Sequence, residues 1–99
     1  MFGTMEIEEV ARALSSDTRL KIIRLLAEGE ASAVSVFKKY NERFSDRRER
    51  ATIYRELEVL YKSNFLVKTY REDSKEIVYR LAARSINIDL ITQTVSAGP

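Results

Sequence analysis

Through the first two thirds of the chain, apolar residues recur every three or four positions; after that they cluster in short runs. Ile7, Val10, Ala11 and Leu14 follow i, i+3, i+4, i+7, which predicts an amphipathic helix over residues 5–14. Ser15-Ser16-Asp17 interrupts that pattern and supplies candidate N-caps for a second helix over about 17–28. In it Leu20, Ile22, Ile23, Leu25, Leu26 and Ala27 leave only the sector of Lys21, Arg24 and Glu28 polar, the pattern of a central core helix. Gly29, with free access to positive φ, ends it. Ser32 can cap a third helix whose stripe is Ala33, Val36 or Phe37, Tyr40 and Phe44. Residues 45–50 form a connection. Within it, Asp46 and Glu49 make a candidate capping pair, so a fourth helix can start as early as residue 47.

The fourth helix carries one buried stripe, Ile53, Leu57 and Leu60, and leaves Thr52, Arg55, Glu58 and Lys62 outside it. Asn64 is a candidate left-handed stop. Residues 65–71 and 77–81 are rich in β-branched and aromatic side chains, and the polar stretch 72–76 between them predicts a hairpin tip. Helices followed by a hairpin define an α+β class, mostly α. The length of 99 residues suits one domain with one modest core. Residues 83–99 form a C-terminal tail. Its segment 86–95 alternates Ile86, Ile88 and Leu90, which fits a strand, while its length also fits a short helix.

Composition narrows the chemistry. With neither cysteine nor histidine, the chain has no disulfide, no thiolate or imidazole metal site, no Ser-His-Asp or Cys-His catalysis and no histidine pH switch. No carboxylate cluster has the spacing of a hard-cation site, and no nucleophile-base pair is visible, so an enzyme is not expected. Apolar residues at 44% and charged residues at 32%, without a long apolar run or a signal-peptide pattern, predict a folded cytoplasmic protein that does not enter the membrane. The lack of cysteine and the abundance of Glu, Lys and Arg point to a thermophilic source. The formal charge of +2 is a poor argument for nucleic acid, but its distribution is a better one. Residues 38–55 hold Lys38, Lys39, Arg43, Arg47, Arg48, Arg50 and Arg55 against Glu42, Asp46 and Glu49. Residues 5–17 hold Glu6, Glu8, Glu9 and Asp17 against Arg12. Such polarity in a small domain suits phosphate steering.

Over residues 6–82 the chain resembles winged helix-turn-helix transcription regulators. The run Ala13-Leu14-Ser15-Ser16-Asp17-Thr18-Arg19-Leu20 and the apolar stretch after it resemble the opening of ArsR-type repressors, and Ile77-Val78-Tyr79-Arg80-Leu81 resembles their wing return. The stretch Thr52-Ile53-Tyr54-Arg55 is closer to the recognition helices of Fur and PadR proteins. Where many ArsR metal sensors carry Cys-Val-Cys, this chain has Ala33-Val34-Ser35, and the histidines of Fur-type sites are absent. The resemblance therefore implies a DNA-binding regulator, while these residues exclude a soft-metal sensor and require no cofactor.

On that basis the expected partner is double-stranded DNA, bound by a homodimer, with the apolar tail available for self-association and any small-molecule effector unknown. Expected base contacts are Thr52, Tyr54 and Arg55, because the first turns of a recognition helix face the bases and arginine donates bidentately to guanine. Arg47, Arg48, Arg50 and Lys62 are expected at phosphates, and Lys68, Arg71 and Lys75 in the wing at the backbone or minor groove. The same residues admit structural roles: Tyr54 leaning on the wing, Arg55 paired with Glu56 or Glu58, the loop arginines simply solvated. A different class of function, a winged-helix module that holds a protein partner, would use Glu56 and Glu58 on the same helix face.

Overall fold

The computed structural model describes residues 5–98. The order is β1 (Met5–Glu6), α1 (Ile7–Ala13), α2 (Asp17–Leu26), β2 (Ala31–Ser32), α3 (Ala33–Arg43), α4 (Arg50–Lys62), β3 (Leu66–Arg71), β4 (Glu76–Leu81), β5 (Ile86–Asp89) and β6 (Thr94–Ala97). Four helices pack around Val10, Ile22, Val36, Tyr40, Ile53, Leu57 and Leu60, each at most 1% exposed. Burial on that scale is the main favourable term in a chain this short. The predicted stripes of the second and fourth helices point inward, with the exceptions of Leu20 and Ala27, which are exposed. α1 begins two residues later than predicted, with residues 5–6 in a strand, and Ala13 is buried where Ala11 was expected.

Caps fix the helix ends. Ser16 Oγ accepts from the Arg19 amide and Ser32 Oγ from the Ser35 amide, both at 3.2 Å. Gly29 has φ 145° after α2, a conformation that L side chains rarely adopt. Asn64 has φ 66°, and α4 closes with the Phe65 amide on the Leu60 carbonyl at 2.9 Å and the Asn64 amide on the Tyr61 carbonyl at 3.0 Å. This double closure satisfies the last carbonyls and folds Phe65 back onto the core.

The predicted hairpin is β3–β4, paired from Leu66↔Leu81 to Arg71↔Glu76, and β2 adds a third strand through Ala31↔Tyr79 and Ser32↔Val78. The tail is neither one strand nor a helix. It is a second hairpin, β5–β6, with β1 on the far side of β6, giving the order β1-β6-β5. Its turn is made by Asp89, whose Oδ1 accepts from the Ile91 and Thr92 amides at 2.9 and 3.0 Å, with Gln93 at φ 56°. Val95, 3% exposed, anchors this sheet to the helical core. Among the described residues no helix is long and apolar enough to cross a membrane.

Candidate nucleic-acid interface

α3, the connection 44–49 and α4 form the helix-turn-helix. Its turn is cross-braced. Asp46 accepts from Lys21 Nζ at 2.8 Å and the Tyr40 hydroxyl at 2.9 Å, and pairs with the Arg48 guanidinium at 3.2 Å. Asn41 grips the backbone of Arg48 from both sides: its amide donates to the Arg48 carbonyl and its oxygen accepts from the Arg48 N–H, both at 2.9 Å. The Arg48 side chain also donates to Thr18 Oγ1 at 3.3 Å. Lys21 first, then the Tyr40 hydroxyl, hold the Asp46 carboxyl below its ordinary range against the opposing effect of desolvation. Asp46 therefore does not act in the capping pair expected from the sequence. The N-cap of α4 is Glu49, which makes no side-chain cap hydrogen bond, and the helix starts at Arg50 rather than 47.

The structure divides the expected contact residues into free and engaged. Arg55 is exposed, and neither candidate carboxylate holds it. Glu56 is taken by Arg19 at 2.8 Å, and Glu58 by Lys68 at 2.6 Å and the Tyr79 hydroxyl at 2.7 Å. Lys68, and secondarily Tyr79, depress the Glu58 carboxyl; burial, aided by that hydrogen bond, pushes the Tyr79 hydroxyl up. Ala51, Arg55 and Lys62 line the outer face of α4, opposite Ile53, Leu57 and Leu60. Thr52 and Tyr54 are half-buried on its flanks, Tyr54 packing against the core edge. Arg47 and Arg50 are exposed at the start of α4, Arg50 lying 5.4 Å from the Phe37 ring centroid. The first turn of α4 itself carries no acidic residue, and the nearest carboxylate in sequence to its positive end is that of the N-cap, Glu49, which makes no cap hydrogen bond. Among the described residues Arg47, Arg50, Arg55 and Lys62 have no ion pair.

Arg48, by contrast, is committed to the turn. In the wing, Lys68 is bound to Glu58 and sits 4.5 Å from the Tyr61 ring centroid. Arg71 is paired with Glu30, its Nε donating at 2.8 Å. Lys75, at the tip with φ 55°, is exposed between Asp73 and Glu76. Sequence reasoning missed Lys21, Asn41 and Arg19. Arg19 spans α1, α2 and α4: Nε donates to the Ala13 carbonyl at 2.8 Å, one terminal nitrogen to the Arg12 carbonyl at 3.0 Å and the other to Glu56. These partners lie 6, 7 and 37 residues away, and nothing in a one-dimensional pattern marks the last of them.

No protein-family model matches the chain, and no curated protein matches it. Solved structures do. The homodimeric winged helix-turn-helix DNA-binding domain Mb0332 of Mycobacterium bovis, described as a possible ArsR-family transcriptional regulator, has TM-score 0.65 and 22% identity over 78% of this chain and 64% of that one. An ArsR-like transcriptional regulator from Rhodococcus sp. RHA1 has TM-score 0.61 and 27% identity over 76% of this chain and 63% of that one. The ferric uptake regulator of Pseudomonas aeruginosa has TM-score 0.60 and 23% identity over 96% of this chain and 75% of that one. The fold is a winged helix-turn-helix: α3–α4 is the helix pair, β3–β4 the wing. The chain spans less than two thirds of the length of the first two of these proteins, and it resembles the ArsR-like and Fur regulators in fold.

Proposed function

We propose that the protein is a transcription regulator that binds double-stranded DNA as a homodimer, with α4 in the major groove. The observation that carries this reading is the set of unpaired cations on one edge of the helix-turn-helix: Arg47 and Arg50 at the start of α4, Arg55 and Lys62 on its outer face. A cation already satisfied by a carboxylate gains little from a phosphate; an unpaired one releases counterions on binding. Arg55 is the base reader and Arg47, Arg50 and Lys62 are phosphate contacts, with Thr52 and Tyr54 touching the groove walls from the flanks. Arg48 acts indirectly, by holding the turn. Lys75, at the tip, is a cation that the wing offers to DNA.

Support for the dimer comes from the described homodimeric state of the Mycobacterium bovis domain and from the terminal hairpin, whose Leu90 and Ile91 are 76% and 95% exposed. Large aliphatic side chains this exposed at a hairpin tip suit burial against a second copy. The alternative of a protein-binding module loses its motivating feature, since Glu56 and Glu58 are engaged within the fold.

Fluorescence anisotropy on duplex DNA at two salt concentrations, with light scattering on the same samples, tests both parts. Tight binding that weakens steeply with salt, by a particle of twice the chain mass, is the expected result. Salt-independent or absent binding removes the DNA reading, and a monomer at tens of micromolar removes the dimer.

A further inference from the structure

A second, smaller feature is lined by none of the residues of the candidate interface. An apolar crevice of about 150 Å³ opens between the helical body and the connection from β4 to β5. Its walls are Leu14 at the end of α1, Ile23 of α2, Phe65 after α4, Leu81 at the end of β4, and Ala83 and Ile86. All except Phe65 are only half-buried, so the crevice keeps apolar surface in contact with solvent. Arg84 lies on its rim, exposed and without an ion pair among the described residues. The tail closes on the connection beside the crevice. The Gly98 amide donates to the Ser85 carbonyl at 2.8 Å, and even a Cβ at position 98 would meet Ser85 Oγ at 2.2 Å.

From this geometry we infer a binding site for a small organic carboxylate with an aromatic or branched apolar body. Volume sets the size: an apolar cavity of about this volume takes one benzene ring. Charge sets the head group, because Arg84, a lining residue with no carboxylate of its own, can give a carboxylate charge-assisted hydrogen bonds while the body displaces weakly bound water. The bound acid would touch the end of α1, the residue that closes α4, and the root of the terminal sheet at once.

Titration calorimetry with the wild-type chain and three probes tests the site without DNA, so its failure leaves the DNA reading intact. Benzoate is expected to bind with Kd on the order of 1 mM or tighter. Benzyl alcohol, with the same ring and no charge, should bind about tenfold more weakly, and acetate, with the charge and no body, should not bind measurably. Arg84→Gln, a change at an exposed position, should bring benzoate down to the level of benzyl alcohol. Ala83→Leu should fill the crevice and abolish binding of both, with the circular dichroism spectrum unchanged. The site is refuted if benzoate shows no saturable binding at about 10 mM, ten times the expected Kd, or if Arg84→Gln binds it as well as wild type. Benzoate binding that fades as the protein is concentrated would show that a second copy of the chain is the occupant, and would likewise overturn the inference.

Discussion

The edge of the helix-turn-helix and the wing carry similar numbers of basic side chains but commit different shares of them to carboxylates. Around α4, Arg47, Arg50, Arg55 and Lys62 point to solvent without carboxylate partners. In the wing, Lys68 is held by Glu58 and by the rings of Tyr61 and Tyr79, and Arg71 by Glu30, while Lys75, with Glu72, Asp73 and Glu76 near it in sequence, and Arg80 make no ion pair among the described residues. The difference teaches that a count of basic residues does not measure capacity for phosphate; the carboxylates folded next to them decide it. Arg48 makes the same point inside the helix-turn-helix, since Asp46 takes its charge although Arg47 and Arg50, close by in sequence, remain free.

The largest effect should come from a change that alters neither set of charges. Leu57→Ala opens a cavity under α4 and should cost about 2–5 kcal/mol of folding stability by denaturant titration; a smaller loss would mean that α4 is not seated as described. Arg55→Ala should leave stability unchanged. It should cost roughly 1–3 kcal/mol of binding to the specific site and much less on random duplex. Equal weakening on both by a folded mutant would show that Arg55 reads no base. The double change Arg47→Ala, Arg50→Ala should weaken binding to all sequences and flatten the log-log salt slope by about 2, one for each contact. Arg48→Ala is the counterpart: its expected result is a loss of stability on the order of 1 kcal/mol with the slope unchanged, and a slope change as large as that of Arg47 would erase the distinction between free and engaged arginines.

Acid should act on the brace. The Asp46 carboxyl titrates below its ordinary value in the folded chain, so its contribution is present above the unfolded value of about 3.9 and is lost as pH falls through the folded value. The melting temperature of Asp46→Asn should therefore lie below that of wild type near neutral pH and converge with it in strong acid. A constant gap down to the acid transition would exclude this linkage. The smallest effect is expected from Lys68→Ala with Arg71→Ala, which should change the salt slope of DNA binding by less than about 0.5. A drop of about 2 would show that these cations leave their carboxylates for DNA and would break the comparison.

Much of this architecture was legible along the chain because its cause is local. The stripes Ile53, Leu57, Leu60 and Leu25, Leu26 with Ile22, the Ser16 and Ser32 caps and the Asn64 stop depend on residues within one or two turns of each other. The terminal hairpin was not legible. Leu90-Ile91-Thr92-Gln93 lacks the glycine or proline that marks most turns; the signal is Asp89, whose carboxylate binds two following amides, a pattern easily passed over inside an aliphatic run. β1 and β2, two residues each, are below what periodicity detects, and only pairing with β6 and β4 makes them strands.

For the candidate interface the division falls elsewhere. By itself the sequence determined which helix presents a polar outer face, where it stops and that a hairpin follows, because helix periodicity and capping act over a few residues. Only the tertiary structure decided which charges on that surface are free. Lys21 reaches Asp46 across 25 residues, Arg19 reaches Glu56 across 37 and Arg71 reaches Glu30 across 41. An ion pair depends on separation in space, its strength falling as the charges move apart, and the chain brings these partners together only when the core has packed.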